Sequence, residues 1–457
     1  MRTLRQVAVR TLVALLCLGL AYGVSTFALA RTTAPDDAVL ALPDRVTAPW
    51  WWTPRVGQSP PGAVSLAFAG RSRALDTPAG DGNVAFVAGG RDTYRVAEFD
   101  RPYAVPGESL LLSPDGGRVA HTRSLEAARP GLSILDLHTG TARHLLTGDP
   151  QVYVDPLAWA PGGAALAVLR GRSGGTGEVG VVRLPGGEYR GLVGGLAVSQ
   201  VPLYGFGVAF SPDGSRLAVE RGPDVAVFRL ADGALESAVR LPEGAHLAGK
   251  GAWTPDGRAL ALVAGAQGRW RVRLVDAATG ADLRRALVEV PDAGALRLLG
   301  WRADGRALAL AYRRVPGGPA QLGLARPGGA TEYRHVRRVD LLALGFDGGP
   351  ATVLAAPGGV LAMDVPDAVV RSGAARPGAG APVWPVRPGF AVGVIAALAL
   401  GAGLAGRWLA GRRRRAGRRP RAAGPRPRWR QDPPDPAGLP AWPTARRASG
   451  TTPISTG

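Results

Sequence analysis

The sequence predicts an all-β fold, a β-propeller of six or seven blades flanked by an N-terminal and a C-terminal transmembrane helix. Three observations lead to this prediction. A turn motif recurs through the middle of the 457-residue chain, most of its copies are 43 to 51 residues apart, and an apolar segment bordered by arginines lies at each end. A period of about 40–50 residues that contains only strand signals is typical of four-stranded propeller blades.

The recurring motif is a Ser-Pro-Asp-Gly-type turn between two short apolar runs. Proline fixes φ at the first corner, aspartate bonds to the nearby backbone, and glycine accepts a positive φ, so each copy predicts a β-hairpin. We interpret the Asp-Gly pairs of four copies as structural turn residues and not as a ligand site. They are Asp115, Gly116, Asp213, Gly214, Asp256, Gly257, Asp304 and Gly305.

The number of turns favours seven blades. Besides those four copies there is one with Gly162 in place of aspartate, and there are weaker ones at Asp81-Gly82 and Asp347-Gly348. The gap from Asp81 to Asp115 is only 34 residues, so six blades stay possible. We expect the ring to close by pairing a strand near Val64–Phe68 with strands near Val353–Val365.

These turns resemble the WD40-like Ser-Pro-Asp-Gly repeats of periplasmic TolB and of the propeller domains of prolyl oligopeptidase and tricorn-type peptidases. The resemblance covers about residues 62–370, and it implies a propeller without specifying a function, because this repeat serves many tasks. Lysine occurs once, at Lys250, and asparagine once, at Asn83, while arginine and alanine abound. This bias indicates GC-rich coding and predicts an actinobacterial source.

The net charge of +20 is concentrated at the two ends of the chain. Residues 407–457 carry +11 and the first ten residues +3, which leaves +6 for the long middle. Basic residues beside apolar segments determine membrane topology, whereas a nucleic-acid footprint would be a patch on a folded domain. We therefore expect no nucleic-acid partner.

Both apolar segments are long enough to cross a bilayer. The first, Thr11–Ala30, could be an uncleaved anchor or a signal sequence, since Ala28-Leu29-Ala30 is an acceptable cleavage site. The second runs from about Phe390 to Ala410, and the run Arg412–Arg415 after it is a stop-transfer signal that stays in the cytoplasm. We predict a cell-membrane protein with both ends cytoplasmic and residues 31 to about 385 outside.

The predicted organisation has six parts: an anchor or signal sequence (1–30), a Pro/Trp-rich juxtamembrane segment (31–61), the propeller (62–370), a Pro/Gly linker (371–388), a transmembrane helix (389–410) and a basic tail (411–457). The tail has too few large apolar residues to fold, so we expect it to be disordered and to contact anionic lipid. A stripe of small residues in the span could pair with another helix; it consists of Gly393, Ala397, Gly401 and Ala405.

The juxtamembrane segment contains three consecutive tryptophans, Trp50, Trp51 and Trp52. Three tryptophans in a row outside the repeat invite three interpretations. They could pack on the base of the propeller, lie at the membrane interface, or stack on a ligand.

Catalytic motifs are weak. Gly171-Arg172-Ser173-Gly174-Gly175 matches G-x-S-x-G, but it falls in a Gly-rich loop between predicted strands and lacks the strand–elbow–helix context of a nucleophile. The five histidines do not form a metal motif, and the single cysteine, Cys17, lies in the first apolar segment. We predict no catalytic, cofactor or metal residues.

The function predicted from the sequence is a non-catalytic binding or scaffold module for a protein, peptide or envelope ligand at a propeller face. The longest predicted loop that could contribute is around Gly171–Gly177. One alternative is an accessory or sensor subunit that relays external binding to a cytoplasmic or membrane partner. A divergent hydrolase is the other.

Overall fold

The computed structural model describes residues 40–70, 83–99, 105–123, 131–145, 152–172, 176–197, 207–322, 333–383 and 388–416. The predicted N-terminal membrane segment, the turn at Asp81-Gly82, Ser173 and the tail beyond residue 416 lie outside these ranges. The chain divides into two compact units, the first ending at Leu398 and the second beginning at Ala399.

The described residues form β-strands and two helices. In chain order they are β1 (Leu42–Pro43), β2 (Val64–Gly70), β3 (Asn83–Ala88), β4 (Tyr94–Glu98), β5 (Leu110–Leu112), β6 (Arg118–Arg123), β7 (Gly131–Asp136), β8 (Ala142–Leu145), β9 (Val152–Trp159), β10 (Ala165–Arg172), β11 (Thr176–Arg183), β12 (Glu188–Ala197), β13 (Val208–Phe210), β14 (Arg216–Arg221), β15 (Asp224–Arg229), β16 (Leu235–Arg240), β17 (Ala245–Leu247), β18 (Ala259–Ala266), β19 (Arg269–Asp276), β20 (Asp282–Ala286), β21 (Ala295–Trp301), β22 (Ala307–Arg314), β23 (Val336–Leu344), β24 (Ala351–Ala355), β25 (Val360–Asp364), α1 (Asp367–Ser372), β26 (Ala375–Arg376) and α2 (Pro388–Ala416).

The strands build a six-bladed propeller, which confirms the predicted fold and corrects the preference for seven blades. Six antiparallel sheets of four strands are present in the described part of the chain. Blade 1 has the order β25-β2-β3-β4, and blades 2 to 6 take the remaining strands four at a time, from β5–β8 to β21–β24. The chain's last blade strand is thus the first strand of blade 1, as the expected ring closure requires, and Phe68 pairs with Met363.

The overcount has a physical reason. Five of the turns, those at Asp115, Gly162, Asp213, Asp256 and Asp304, connect the first and second strands of blades 2 to 6. The Asp347-Gly348 turn instead connects β23 to β24, the last two strands of blade 6. Any tight hairpin favours Asp and Gly, so a turn sequence alone does not tell which hairpin of a blade it makes.

Adjacent blades are joined by buried tryptophans, with Trp159 at the end of β9 and Trp253 between β17 and β18. The indole nitrogen of Trp159 donates to the carbonyl of Leu111 in the preceding blade, and that of Trp253 donates to Ala209 in the same way, at 3.1 and 3.0 Å. The Arg216 guanidinium lies 4.5 Å from the centroid of the Trp253 ring and donates to the Gly257 carbonyl at 2.6 Å. Buried indole N–H groups need such acceptors, so the contacts set the spacing between blades.

The ring closes over a buried ion pair. Lys250, between β17 and β18, places its ammonium 3.1 Å from Asp364 Oδ1 and 3.2 Å from Asp367 Oδ1, and donates to the Val365 carbonyl at 2.7 Å. Asp364 is fully buried and also accepts a hydrogen bond from the Leu112 backbone N–H. Blades 1, 2 and 5 therefore meet at one carboxylate.

The segments before and after the propeller run side by side, and we call this pair of segments (41–52 and 374–383) the strap. β1 pairs in parallel with β26, the Gly378 N–H donates to Asp44 at 2.8 Å, and the Ala381 N–H donates to Thr47 at 2.7 Å. Arg376 forms an ion pair with Asp92 of blade 1 at 3.0 Å. The described residues of the predicted Pro/Gly linker are thus held by hydrogen bonds.

Helix α2 contains a 20-residue stretch, Gly393–Arg412, that is long and apolar enough to cross a membrane, and none of its side chains in that stretch is buried. Among the described residues it is the one helix that meets this description.

Candidate functional site

A cleft of about 860 Å³ lies between blade 1 and blade 2. One wall is the outer strand of blade 1, β4, together with residues 55–58, which follow the first segment of the strap. The floor is the face of blade 2. Clefts of several hundred Å³ with a few convergent polar groups are the usual form of a ligand site.

Three polar side chains lie in a row across the floor of the cleft. His121 on β6 is directly opposite Ser133 on β7, and Ser133 is directly opposite His144 on β8. Directly opposite residues of antiparallel strands project on the same face of a sheet, with Cβ atoms about 5 Å apart. The register of the blade therefore brings together two histidines that are 23 positions apart in the sequence.

The ring of His121 is held in place on two sides. Its Nδ1 lies 3.2 Å from the Thr122 carbonyl, and its ring packs edge-on against Phe99 with centroids 4.7 Å apart. Phe99 thereby gives the cleft an apolar patch beside the imidazole.

The guanidinium of Arg123 lies above the second histidine. Its Nη1 is 3.2 and 3.4 Å from the two ring nitrogens of His144, nearly the same distance from both. Arg123 follows His121 by two positions on β6, so it lies on the same face of the sheet. A cation is thus fixed at one end of the polar row.

Ser133 lies between the two histidines at the bottom of the cleft. The residue is fully buried, and the described part of the chain offers its hydroxyl no hydrogen-bond partner. A buried hydroxyl without a partner costs about 1–3 kcal/mol of free energy.

The opposite wall carries a half-exposed ion pair. Arg55 and Glu98 are 2.7 Å apart, with 49% of each side chain exposed. The backbone of this wall is fixed, because Val56 donates to the Val96 carbonyl at 3.0 Å and Val96 donates to the Pro54 carbonyl at 3.1 Å. Arg55 is therefore a second cation at the rim of the cleft, facing the row on blade 2.

The polar groups of this lining can be compared with what catalysis requires. Nucleophilic catalysis by serine needs a hydrogen bond from the hydroxyl to a base, and Ser133 makes no such bond to a described residue. The described residues contain no group of three His, Cys, Asp or Glu side chains that could hold a metal. The lining holds two arginines, one of them paired with Glu98, together with two imidazoles, one hydroxyl and a phenyl ring. This set suits a ligand with an anionic or strongly polar group beside an apolar one.

A second cleft, of about 550 Å³, lies between blades 4 and 5. Its arginines are largely engaged by carboxylates, since Arg269 and Arg271 both bind Glu289, at 2.9 and 2.6 Å. The guanidinium of Arg240 is 3.3 Å from Asp224. The residues that line this cleft include no counterpart of the His–Ser–His row.

The turn aspartates predicted from the sequence lie outside both clefts and are used within their own turns. Asp213 accepts hydrogen bonds from the Ser211 hydroxyl at 2.5 Å and from the Ser215 N–H at 3.1 Å. The Ser211 hydrogen bond is the main cause that lowers the pKa of Asp213 to about 2. Asp115 and Asp256 repeat this pattern with Ser113 and Thr254.

The other predicted residues can be placed as follows. The turn glycines Gly116, Gly214, Gly257 and Gly305 have φ between 66 and 80°. Asp304 accepts a hydrogen bond from the Arg306 N–H at 3.0 Å. The stripe residues Gly393, Ala397, Gly401 and Ala405 are all exposed on α2. Gly171 pairs with Gly177 at the end of the β10–β11 hairpin, while Ser173 between them lies outside the described residues.

The row His121, Ser133, His144 was not predicted from the sequence. The signal that could have found it is the alternation along β6 and β7, counted outward from the Asp115 turn. That count requires knowing which residues of β6 and β7 lie opposite one another. The sequence does not determine this register, because the length of the connection between the two strands does not fix their pairing.

No family model matches the chain, and no curated protein matches it either. Solved structures that are similar include TolB from Acinetobacter baumannii, at 16% identity over 65% of this chain and 67% of that one, with a TM-score of 0.37. An oligogalacturonate lyase from Vibrio parahaemolyticus is 13% identical over 70% and 80% of the two chains (TM-score 0.40), and the calcium-binding protein regucalcin from Agrobacterium tumefaciens is 13% identical over 72% and 99% (TM-score 0.38). The neighbours thus include TolB-type propellers as well as an enzyme. Likeness at this level carries no argument about function.

Proposed function

We propose that this chain is a membrane-anchored β-propeller that displays a ligand-binding cleft outside the cell membrane and does not catalyse a reaction. The observation that carries the proposal is the cleft between blades 1 and 2, in which cationic, imidazole and hydroxyl groups converge on one floor. Helix α2 and the arginines that follow it support the membrane anchoring and its orientation.

The ligand class follows from the lining. Arg55 and Arg123 can donate to carboxylate or phosphate oxygens, His121 and His144 can donate or accept, and Phe99 and Leu135 offer apolar contact. We infer that the cleft takes an acidic segment of a protein or peptide. The cleft borders β4 and β8, the outer strands of blades 1 and 2, and an extended chain could follow these strands.

Photo-crosslinking in intact cells tests the binding role. A crosslinking amino acid at Gln58, on the rim of the cleft, should give a reproducible adduct with one partner, identified by mass spectrometry. The matched control is the same amino acid at Gln267 on the rim of the second cleft. Arg123→Ala should abolish the adduct at Gln58, because it removes the cation at the floor.

Two outcomes would contradict the proposal. Equal adducts at Gln58 and Gln267 would mean that the cleft has no specific partner. An adduct at Gln58 that survives both Arg123→Ala and a His121→Ala, His144→Ala double variant would mean that the polar row does not recognise the ligand. The membrane part is tested separately: alkaline carbonate should leave the chain in the membrane pellet, and externally added protease should cleave the propeller in spheroplasts.

A further inference from the structure

An aromatic cluster joins the first segment of the strap to the beginning of α2. Trp50 and Trp52 stack with centroids 4.9 Å apart and 8° between their planes. Trp52 also stacks on Phe390 at 5.1 Å, and Trp51 meets Phe390 edge-on at 4.5 Å. We call these four residues the aromatic cluster. Phe390 lies in the first turn of the helix.

The cluster is fixed in position by the strap. The indole nitrogen of Trp52 donates to the Val383 carbonyl at 3.0 Å, and the Thr53 N–H donates to the Trp50 carbonyl at 2.8 Å. The hydrogen bonds between the two segments of the strap hold the same region from the other side. Three bulky rings are thus presented on a backbone that is itself anchored to blade 1.

The cluster nevertheless leaves apolar surface exposed. Trp51 is 56% exposed, the largest exposed fraction among the tryptophans of the first compact unit's described residues. Trp52 stacks on both Trp50 and Phe390, so these rings are used against one another. What remains exposed is the side of an aromatic patch.

The place of this patch along the chain indicates what covers it. Phe390 precedes the apolar stretch that begins at Gly393 by three residues, which is about 4.5 Å of helix. Trp408, 58% exposed, follows Phe390 by 18 residues, or about 27 Å along the helix, close to the roughly 30 Å of a bilayer's hydrocarbon core. Tryptophan is the residue that prefers the level of the lipid headgroups.

We propose that Trp50, Trp51, Trp52 and Phe390 insert into the outer headgroup region of the bilayer and thereby seat the propeller on the membrane surface. This inference rests on the proposed membrane anchoring by α2. The occupant of the patch is lipid, because the patch is continuous with the start of the apolar span. Since the strap fixes the patch to blade 1, insertion holds that blade beside the membrane.

A depth measurement tests the proposal with the full chain in phosphatidylcholine nanodiscs. In a Cys17→Ser background, Trp51→Cys is labelled with the fluorophore NBD, and Leu235→Cys, an exposed apolar position on β16 with 57% exposure, is the matched control. Lipids that carry a nitroxide on the headgroup should quench most of the NBD emission at position 51. They should leave the emission at position 235 unchanged.

A second measurement needs no cysteine. Brominated lipids should quench less of the intrinsic tryptophan fluorescence in Trp51→Phe than in the wild-type chain, because Trp51 then no longer contributes a quenchable signal. An NBD label at position 51 that stays as unquenched as the one at 235, or equal quenching of wild type and Trp51→Phe, would overturn the seating. Quenching at position 51 by a nitroxide-labelled second copy, and not by lipid, would assign the patch to a dimer instead.

The anchoring itself is read out separately by carbonate extraction. A chain that is extracted would count against α2 as a membrane span, and so against the proposed function. A chain that stays in the membrane while position 51 remains unquenched would count against the seating alone.

Discussion

Replacing Lys250 by methionine should be among the most damaging single changes to the propeller. Lys250 is the only lysine of the chain, and its ammonium has three oxygen partners, on Asp364, Asp367 and Val365. An ammonium has three N–H donors, so this site uses all of them. Methionine keeps most of the volume of the side chain and removes only the charge and the donors.

The magnitude follows from what is left behind. Asp364 is fully buried, and without Lys250 the partners that its carboxylate keeps among the described residues are the backbone N–H groups of Leu112 and Val365, at 2.9 and 3.0 Å. Removing one partner of a buried ion pair typically costs about 3–5 kcal/mol, and the two remaining donors place this case at the lower end, about 3 kcal/mol. For a propeller of roughly 300 residues, with an unfolding entropy of about 2.1 cal/mol/K per residue, that corresponds to a fall in melting temperature of about 5 °C.

Chemical denaturation of the detergent-solubilised chain, followed by tryptophan fluorescence, measures the free energy of unfolding. The matched control is Arg240→Met, which removes an exposed ion pair with Asp224 and should cost less than about 1 kcal/mol. Adding Asp364→Asn to Lys250→Met should recover part of the loss, because the unpaired charge is then gone. A cost of Lys250→Met no greater than that of the control would refute the reasoning.

Three further predictions concern the blades. Asp213→Ala should lower the free energy of unfolding by about 1 kcal/mol at pH 7. Because the pKa of Asp213 is lowered to about 2 in the folded state, this difference in stability between the variant and the wild type should vanish as the pH falls from 4 through 2 in an acid titration. Burial raises the pKa of Glu108 from 4.5 to about 8, so between these pH values the folded state holds a proton that the unfolded state has lost. The melting temperature of the wild type should therefore fall more steeply than that of Glu108→Gln as the pH rises from 5 to 8. Arg216→Ala should lower the free energy of unfolding by about 2 kcal/mol in the same denaturation assay, because it removes the cation over buried Trp253 and an inter-blade hydrogen bond. A loss equal to that of Arg258→Ala, which changes an exposed arginine, would contradict this prediction.

The repeat predicted the fold well because each turn is determined locally. The hydroxyl of Ser113 donates to Asp115, which accepts the Gly117 N–H at 3.1 Å, and all of these groups lie within five residues. Such short-range chemistry is visible in a sequence. The number of blades was harder, because the strand that completes blade 1 comes from the other end of the propeller, and the Asp347 turn belongs to a different hairpin.

The cleft could not be predicted in the same way. Its floor depends on which residues of three strands lie opposite one another, and its wall depends on residues 55 and 56 packing along β4. Both are long-range placements that a one-residue shift in register would reverse. The sequence showed the histidines, but it did not show that two of them share one face.

The wall of the cleft and the aromatic cluster belong to one short stretch of chain, from Trp50 to Gln58. Between them Thr53 and Pro54 are buried, and Val56 is buried in the apolar core shared by blades 1 and 2. A relay from the cleft to the membrane would need an element with two discrete arrangements. This stretch instead is bonded to β4 on both sides of Arg55, through the Pro54 carbonyl and the Val56 N–H. Moving it would break those bonds and expose Val56, so a relay that shifts this stretch would have to offset both costs.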